Sequence, residues 1–142
     1  MEPFEYRHIV RFSEVDQAGV VFFARYFEIA HAALEAFFDH IGWSFAQLFK
    51  AGKEGFPLVH AEANYQAPAR LGDALTVRLT VSRLSTSSFT LRYEFMDAKG
   101  RPAATVSTSH VWVKLDTFQK SPLPENLKDQ LKPYLLPESA TD

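Results

Sequence analysis

The sequence predicts an α+β fold in which a five-stranded antiparallel sheet packs against one long helix. Three observations support this prediction. Apolar residues recur at steps of three and four from Phe23 onward, as on one face of a helix. Apolar and polar residues alternate in five other segments, as in half-buried strands. A chain of 142 residues suits one domain with one core, so helix and sheet must cover each other's apolar faces.

The first strand and the long helix are separated by a polar turn. The segment FEYRHIVRF, residues 4–12, alternates in the manner of a strand. The following SEVDQAGV contains Ser, Asp and Gly, which are typical of turns. The helix then runs for about five turns to Gly42, whose lack of a Cβ suits a C-terminal cap. Its predicted apolar stripe comprises Phe23, Phe27, Ala30, Leu34, Phe38 and Ile41.

A run of strands is predicted after the helix. Residues 43–56 are expected to hold a short second helix through Leu48 and Phe49, followed by a Gly-rich loop. Four strand-like segments come after Pro57, namely LVHAEANYQAPA, DALTVRLTVSRL, SFTLRYEFMD and AATVSTSHVWVKL. The joints RLGD and DAKGR carry Gly and Asp, which favour tight reversals, so consecutive antiparallel pairing is predicted. Pro124 marks the start of a C-terminal helix that ends in a polar tail.

Composition excludes several classes of function. The 15 basic and 17 acidic residues give a net charge of -2 without any block of like charge, so nucleic acid is not expected as a partner. There is no cysteine, which excludes disulfides and thiolate chemistry. Neither a signal peptide nor an apolar run long enough to span a bilayer occurs, so we expect a cytoplasmic protein.

Asp16 lies just ahead of the helix and is the first candidate for chemistry. A carboxylate there lies near exposed N–H groups and the positive end of the helix dipole, which keep it ionised. It can attack a carbonyl carbon or take a proton from water, and N–H groups such as those of residues 21–23 can hold the oxyanion that develops. The alternative is an Asp that merely caps the turn, which local sequence alone favours.

Several other polar side chains are candidates for a site. His31 lies at the border of the apolar stripe, where it can orient a substrate, relay a proton or serve only as a hydrogen-bonded structural residue. On one strand, His60, Glu62 and Asn64 alternate, and their shared polar face suits a pocket, a subunit interface or solvent. His110 has no assigned role. The five histidines are scattered, so no metal site is predicted. The absence of HExxH, GxSxG and a phosphate-binding Gly loop excludes zinc proteases, α/β serine esterases and P-loop enzymes.

The segment VRFSEVDQAGVVFFARYFEIAHAALEAFF resembles the signature of hotdog-fold acyl-CoA thioesterases of the 4-hydroxybenzoyl-CoA thioesterase and Tol-Pal-associated type. The family pattern is D-x-x-G-x-V, then an aromatic pair and a Tyr that enters the long helix. It is present here as Asp16, Gly19, Val21, Phe22, Phe23 and Tyr26. The likeness covers about residues 5–116, which would form the core of a single domain over residues 1–142, with a short C-terminal helix and tail at 117–142.

The resemblance implies a sheet wrapped around the long helix, two subunits paired edge to edge as a homodimer or homotetramer, and active sites at their interface. It implies that Asp16 acts on the thioester carbonyl of an acyl-CoA while the Phe23 backbone amide polarises it, without cofactor or metal. The predicted catalytic set is Asp16, Phe23, Gly19 and His31. The predicted substrate-binding set is Val21, Phe22, Tyr26, His60, Glu62 and Asn64.

The acyl group is predicted from the start of the helix. Tol-Pal-type members carry a His where this chain has Phe23, whereas FFARYFEIAHAALEAFF resembles the 1,4-dihydroxy-2-naphthoyl-CoA thioesterases, with His31 at their His position. This favours aromatic acyl groups such as hydroxybenzoyl or dihydroxynaphthoyl, while a fatty acyl chain stays open. The alternatives are an acyl-CoA-binding hotdog protein without turnover and a hydratase or dehydratase on the same fold.

Overall fold

The computed structural model describes residues 1–137, and the last residues of the predicted tail, 138–142, lie outside this range. Three α-helices are present: α1 (Arg25–His40), α2 (Phe45–Ala51) and α3 (Glu125–Leu131). The strands are β1 (Phe4–Ile9), β2 (Glu54–Gly55), β3 (Leu58–Tyr65), β4 (Ala74–Leu84), β5 (Ser88–Met96), β6 (Pro102–Val111) and β7 (Val113–Lys114). Short 3-10 turns occupy Phe12–Glu14 and Lys132–Tyr134. The α+β class is confirmed.

Five strands form one antiparallel sheet in the order β1-β4-β5-β6-β3, while β2 and β7 form a separate pair. The predicted five-stranded sheet is therefore confirmed, but consecutive pairing is wrong for β3. This strand pairs with β6 rather than with β4. The connecting segment does not form a hairpin, because Arg70 makes a bridge with Val20 and the Gly72 N–H donates to the Val10 carbonyl. It thereby crosses from β3 at one edge of the sheet to β4, which lies next to the opposite edge strand β1.

The apolar face of the sheet packs on α1. The alternation predicted for β5 is confirmed, since Phe89, Leu91, Tyr93 and Phe95 are all buried. The predicted stripe of α1 is correct for four of its six members. Its C-terminal members are buried, but Phe23 is 61% exposed, and the helix also buries Tyr26, Ile29, Ala33 and Phe37. The Tyr26 ring packs on Phe95 of the sheet, with centroids 5.2 Å apart, so the buried face is rotated toward that side.

The shorter helices close the core at the end of α1. Ser44 caps the start of helix α2, since its hydroxyl accepts the Gln47 N–H, and the helix was predicted within residues 43–56. Phe45 at its start packs on Phe38 of α1 and on Phe56, with ring centroids 5.6 Å and 5.5 Å away. Helix α3, also predicted, buries its two leucines in the same core. The structure thus has one sixteen-residue helix and two seven-residue helices.

Candidate active site

Asp16 starts a tight turn immediately before α1. Its Oδ1 accepts the Ala18 N–H at 2.8 Å, and its carbonyl accepts the Gly19 N–H at 2.9 Å. Gly19 has φ +77°, a conformation that L side chains rarely adopt. The Asp16 N–H donates to the Val20 carbonyl, which closes the turn. The side chain therefore does cap the turn, but the second carboxylate oxygen accepts no hydrogen bond from the described residues, and Asp16 as a whole is exposed.

A partly buried pair of side chains holds the segment ahead of this turn. His8 Nε2 lies 2.8 Å and 2.9 Å from the two Glu14 carboxylate oxygens, and the Arg11 N–H donates to the same carboxylate at 2.8 Å. Burial by itself would raise the pKa of Glu14, but these hydrogen bonds and the nearby positive charge outweigh it and lower that pKa. The Glu14 carbonyl accepts the Phe22 N–H at 2.9 Å, which ties the pair to the start of the helix.

The backbone N–H groups before α1 are only partly occupied. The Val21 N–H donates to the Ala69 carbonyl at 2.8 Å, and that of Phe22 is used by Glu14. Within residues 1–137, the Phe23 and Ala24 N–H groups donate no hydrogen bond. Of the predicted oxyanion donors at 21–23, only Phe23 is thus unoccupied, and Ala24 joins it. The positive end of the α1 dipole reinforces both.

Tyr65, at the end of β3, lies beside this helix start, and sequence analysis missed it. Its hydroxyl donates to the Phe23 carbonyl at 3.3 Å. Its ring packs on Tyr26, with centroids 5.3 Å apart. Two predicted substrate-binding residues, Tyr26 and Val21, are buried in the core, whereas Phe22 remains partly exposed. The alternation of β3 could have identified Tyr65 as a residue that faces α1, because it shares the core-facing side of the strand with Ala63.

A cavity of about 790 Å³ opens between α1, α2 and the sheet. Its walls are mainly apolar and include Phe27, Leu34, Phe45, Leu48, Phe56 and Ala61. Phe27 lies one helical turn beyond Phe23, whereas Phe23 and Asp16 themselves do not line the cavity. His31 and Glu35 also line it. The structure thus brings His31 into the cavity wall, where its ring lies 6.4 Å from that of Phe45.

Three buried polar side chains also line this cavity. Tyr93 Oη lies 2.9 Å from Thr108 Oγ1, which lies 3.0 Å from His110 Nε2. His110 Nδ1 lies 3.2 Å from the Phe56 carbonyl oxygen. Burial raises the pKa of Tyr93 well above its usual range and lowers that of His110 to about 4. Sequence analysis assigned none of them a role, although polar Thr108 and His110 occupy core-facing positions of an alternating strand.

The predicted residues His60, Glu62 and Asn64 lie away from this cavity. In the register of β3 with β6 they pair with Ser109, Ser107 and Thr105, which alternate with the core-facing residues of β6. They therefore project from the opposite face of the sheet. All three are exposed, and none lines the cavity. The structure does not bring them together with Asp16 or Phe23, and their predicted role in binding remains a prediction.

Strand β3 forms an exposed edge of the sheet. In the part of the chain that the structure describes, its only strand partner is β6. Seven of its eight residues are exposed, including the apolar Leu58, Val59 and Tyr65. A free edge with exposed apolar side chains is a surface on which another strand can pair.

The described residues contain neither a membrane-spanning helix nor a metal-binding cluster. No helix between residues 1 and 137 combines the length and hydropathy that crossing a membrane requires. No group of three or more His, Asp or Glu side chains in that range is arranged to hold a metal ion.

Comparison with known proteins places these features in a family. The model of the Thioesterase-like superfamily matches residues 10–131. The 1,4-dihydroxy-2-naphthoyl-CoA hydrolase of Synechococcus elongatus is 36% identical over 133 residues, which are 93% of this chain and 97% of that protein. The enzyme of the same name from Synechocystis is 34% identical over 126 residues, covering 88% and 91% of the two chains.

Solved structures agree with this placement. A 1,4-dihydroxy-2-naphthoyl-CoA thioesterase from Synechocystis superposes with a TM-score of 0.86 at 32% identity, covering 91% of this chain and 95% of its own. A gentisyl-coenzyme A thioesterase gives a TM-score of 0.81 at 26% identity, covering 91% and 99%. The chain belongs to the Thioesterase-like superfamily, which confirms the prediction of a hotdog-type thioester hydrolase.

Proposed function

We propose that this chain hydrolyses CoA thioesters of hydroxylated aromatic acids, with Asp16 as nucleophile or general base and the Phe23 N–H as oxyanion donor. The main support is that the Phe23 and Ala24 N–H groups, at the start of the sixteen-residue α1, have no acceptor among residues 1–137. The Val15–Val21 bridge joins the Asp16 turn to this helix start. The amide polarises the thioester carbonyl, and the carboxylate attacks its carbon or deprotonates the attacking water.

The turn supports this assignment of Asp16. One carboxylate oxygen is fixed by the Ala18 N–H, whereas the other has no donor in the described chain and is open to a substrate. Gly19 supplies the left-handed conformation that closes the turn. His31 lies further along α1 in the cavity wall, where it can orient the acyl group. The proposal therefore assigns chemistry to the helix start and acyl binding to the cavity.

The cavity and the relatives together favour an aromatic acyl group. Its volume of about 790 Å³ falls within the usual range for small-molecule sites, and its walls carry several Phe rings. The matched relatives include hydrolases named for 1,4-dihydroxy-2-naphthoyl-CoA and a thioesterase named for gentisyl-coenzyme A. The first substrate to test is therefore 1,4-dihydroxy-2-naphthoyl-CoA, followed by hydroxybenzoyl-CoA esters.

The proposal includes a homodimer or homotetramer in which two copies pair through β3. The exposed apolar edge of this strand supports it, because unpaired backbone groups there would be satisfied by a second strand. Tyr65 lies on β3 and contacts Phe23, so such pairing would bring the partner subunit close to the helix start. Light scattering on the purified chain should give a mass of two or four copies, and a monomer at all concentrations would contradict this part.

The catalytic assignment is tested by thiol release from the CoA ester. Asp16→Asn removes the negative charge at nearly constant size, and we expect the rate to fall by about 100-fold or more, as for a lost acid–base group. Asp39→Asn is the matched control, since it makes the same change at an exposed position of α1. An Asp16→Asn variant as active as the parent would remove the basis of the mechanism.

The two other functions give different results in the same experiment. A binding protein without turnover would show saturable binding of the CoA ester by calorimetry but no thiol release across aromatic, short-chain and long-chain esters. A hydratase or dehydratase would change the acyl group while the thioester stayed intact, which mass spectrometry of the products detects.

A further inference from the structure

The three polar side chains that line the cavity are unusual for their positions. Thr108 and His110 pair with Leu91 and Phe89 on the core-facing side of the sheet, where apolar residues are the rule. Together with Tyr93 they form a continuous hydrogen-bonded chain in an otherwise apolar cavity. Buried polar groups lower stability unless each has a partner, so the direction of every bond in this chain is informative.

The bond directions follow from His110. A carbonyl oxygen can only accept, so His110 Nδ1, 3.2 Å from the Phe56 oxygen, carries the proton and donates. Burial lowers the pKa of His110 to about 4, which keeps the ring neutral near pH 7 and leaves Nε2 as an acceptor. The Thr108 hydroxyl must therefore donate to Nε2, since Nε2 has no proton to give. The Tyr93 hydroxyl, in turn, donates to Thr108 Oγ1.

The side chains of Tyr93, Thr108 and His110 have already engaged all of their hydrogen-bond donors, but some of their acceptor sites remain free. The Tyr93 O–H, the Thr108 O–H and the His110 Nδ1–H each point to a partner within the protein. The Tyr93 oxygen has accepted nothing from residues 1–137, and Thr108 Oγ1 has accepted one bond and can accept a second. A ligand in the cavity can therefore form a hydrogen bond with these three side chains only by acting as the donor.

We infer that Tyr93, Thr108 and His110 act as a specificity element that selects acyl groups with an O–H or N–H donor on the ring, away from the thioester. This inference rests on the proposed function, because it assumes that the acyl group occupies the cavity. An unsubstituted ring would donate nothing to the buried Tyr93 and Thr108 oxygens, so the binding free energy of that hydrogen bond would be lost. A fluorine at the same place adds size but no proton, so it would not relieve that loss.

The prediction for kinetics is a preference that follows donor capacity rather than size. We expect kcat/KM for 4-hydroxybenzoyl-CoA and 4-aminobenzoyl-CoA to exceed that for 4-fluorobenzoyl-CoA and benzoyl-CoA by about tenfold, which is the usual net effect of one hydrogen bond. Tyr93→Phe should reduce this ratio toward one by slowing the donor substrates only. Tyr134→Phe is the matched control, because that tyrosine lies outside the cavity lining.

A binding measurement separates this inference from the proposed function. Thioether analogues that replace the cleavable thioester, with and without the ring hydroxyl, are titrated into the parent protein by calorimetry. We expect the hydroxylated analogue to bind about tenfold more tightly. Absence of thiol release from every ester would contradict the proposed hydrolase without altering this ratio.

Two results would overturn the inference itself. Equal affinity of the parent for the two analogues would do so without any variant, so a failure of Tyr93→Phe to fold would not obscure the answer. A Tyr93→Phe variant that slows all four esters by the same factor would show that the tyrosine only maintains the cavity. If Tyr93→Phe hydrolysed 4-fluorobenzoyl-CoA faster than 4-hydroxybenzoyl-CoA, the result would instead support direct recognition of the ring substituent by Tyr93.

Discussion

The His8–Glu14 pair is expected to control both stability and the position of the Asp16 turn. The two side chains are only 14% and 15% exposed, and His8 Nε2 lies within 2.9 Å of both carboxylate oxygens. His8→Ala leaves the carboxylate with the Arg11 N–H as its remaining donor. Hydrogen bonds to charged groups contribute about 1.5–3 kcal/mol. We therefore expect His8→Ala to lower the free energy of unfolding by about 2 kcal/mol at neutral pH.

The contribution of Glu14 should depend on pH in a defined direction. Although burial opposes it, hydrogen bonding from Arg11 and His8 lowers the pKa of Glu14 below its usual value of 4.5. A carboxyl group whose pKa is lower in the folded state stabilises the fold fully above the unfolded pKa. That contribution is lost as the pH falls from 4.5 through the lower folded value. The difference between the parent and Glu14→Gln should therefore shrink in acid.

Urea denaturation of the parent, His8→Ala, Glu14→Gln and the double variant measures the coupling between the two side chains. We expect a coupling of about 1–2 kcal/mol at pH 7. His60→Ala is the control, because its ring is 61% exposed and lies 3.6 Å from Glu62, so it should change stability by less than about 0.5 kcal/mol. A coupling below about 0.5 kcal/mol, the usual scatter of additivity, would refute the reasoning.

Three further predictions test the turn, the core and the cavity. Gly19→Ala should lower the free energy of unfolding by about 1–2 kcal/mol and slow thiol release, because φ +77° is strained for Ala. No atom lies within 4 Å of the added Cβ, so the strain comes from the backbone alone. Unchanged stability in urea denaturation would contradict this. Phe38→Ala should cost about 3–5 kcal/mol, since the ring is fully buried among Phe37, Phe45 and Phe56, and a loss below about 1 kcal/mol would show that the core collapses around it. Burial lowers the pKa of His110 from 6.5 to about 4, so the unfolded chain takes up the proton first and stability falls as the pH drops through that window. The full effect is about 3 kcal/mol, and a His110→Asn variant with the same pH profile as the parent would contradict it.

The elements of the fold were predictable where local periodicity is strong. The long helix and the strands of the sheet appear as steps of three and four or as alternation, since each pattern depends on neighbours a few residues apart. The face that α1 buries was less predictable. Both flanks of this helix are apolar, and only the position of the sheet decides that Tyr26 is buried while Phe23 is exposed. The pairing of β3 with β6 likewise depends on a crossover that no local signal encodes.

The residues of the candidate site also fall into those that the sequence predicts and those that it does not. Asp16 and Gly19 were recognisable because a turn ahead of a helix requires such residues and uses hydrogen bonds within four positions. The presence of N–H groups without an intrahelical partner at the start of the helix follows from the same local geometry. Tyr65, which contacts Phe23 across 42 positions of sequence, could not be found in that way. Thr108 left a weak signal, a polar residue where alternation requires an apolar one.

The sequence by itself determined the class of fold, the turn with its carboxylate, and the helix that begins beside it, because these depend on bonds between near neighbours. Only the tertiary structure decided which amides stay free, since Glu14 and Ala69 occupy those of Phe22 and Val21. It also decided that His110 meets the Phe56 carbonyl, 54 positions away, and so fixed the direction of the buried hydrogen bonds. Contacts of this kind form when separate elements pack together, and packing is a property of the whole chain.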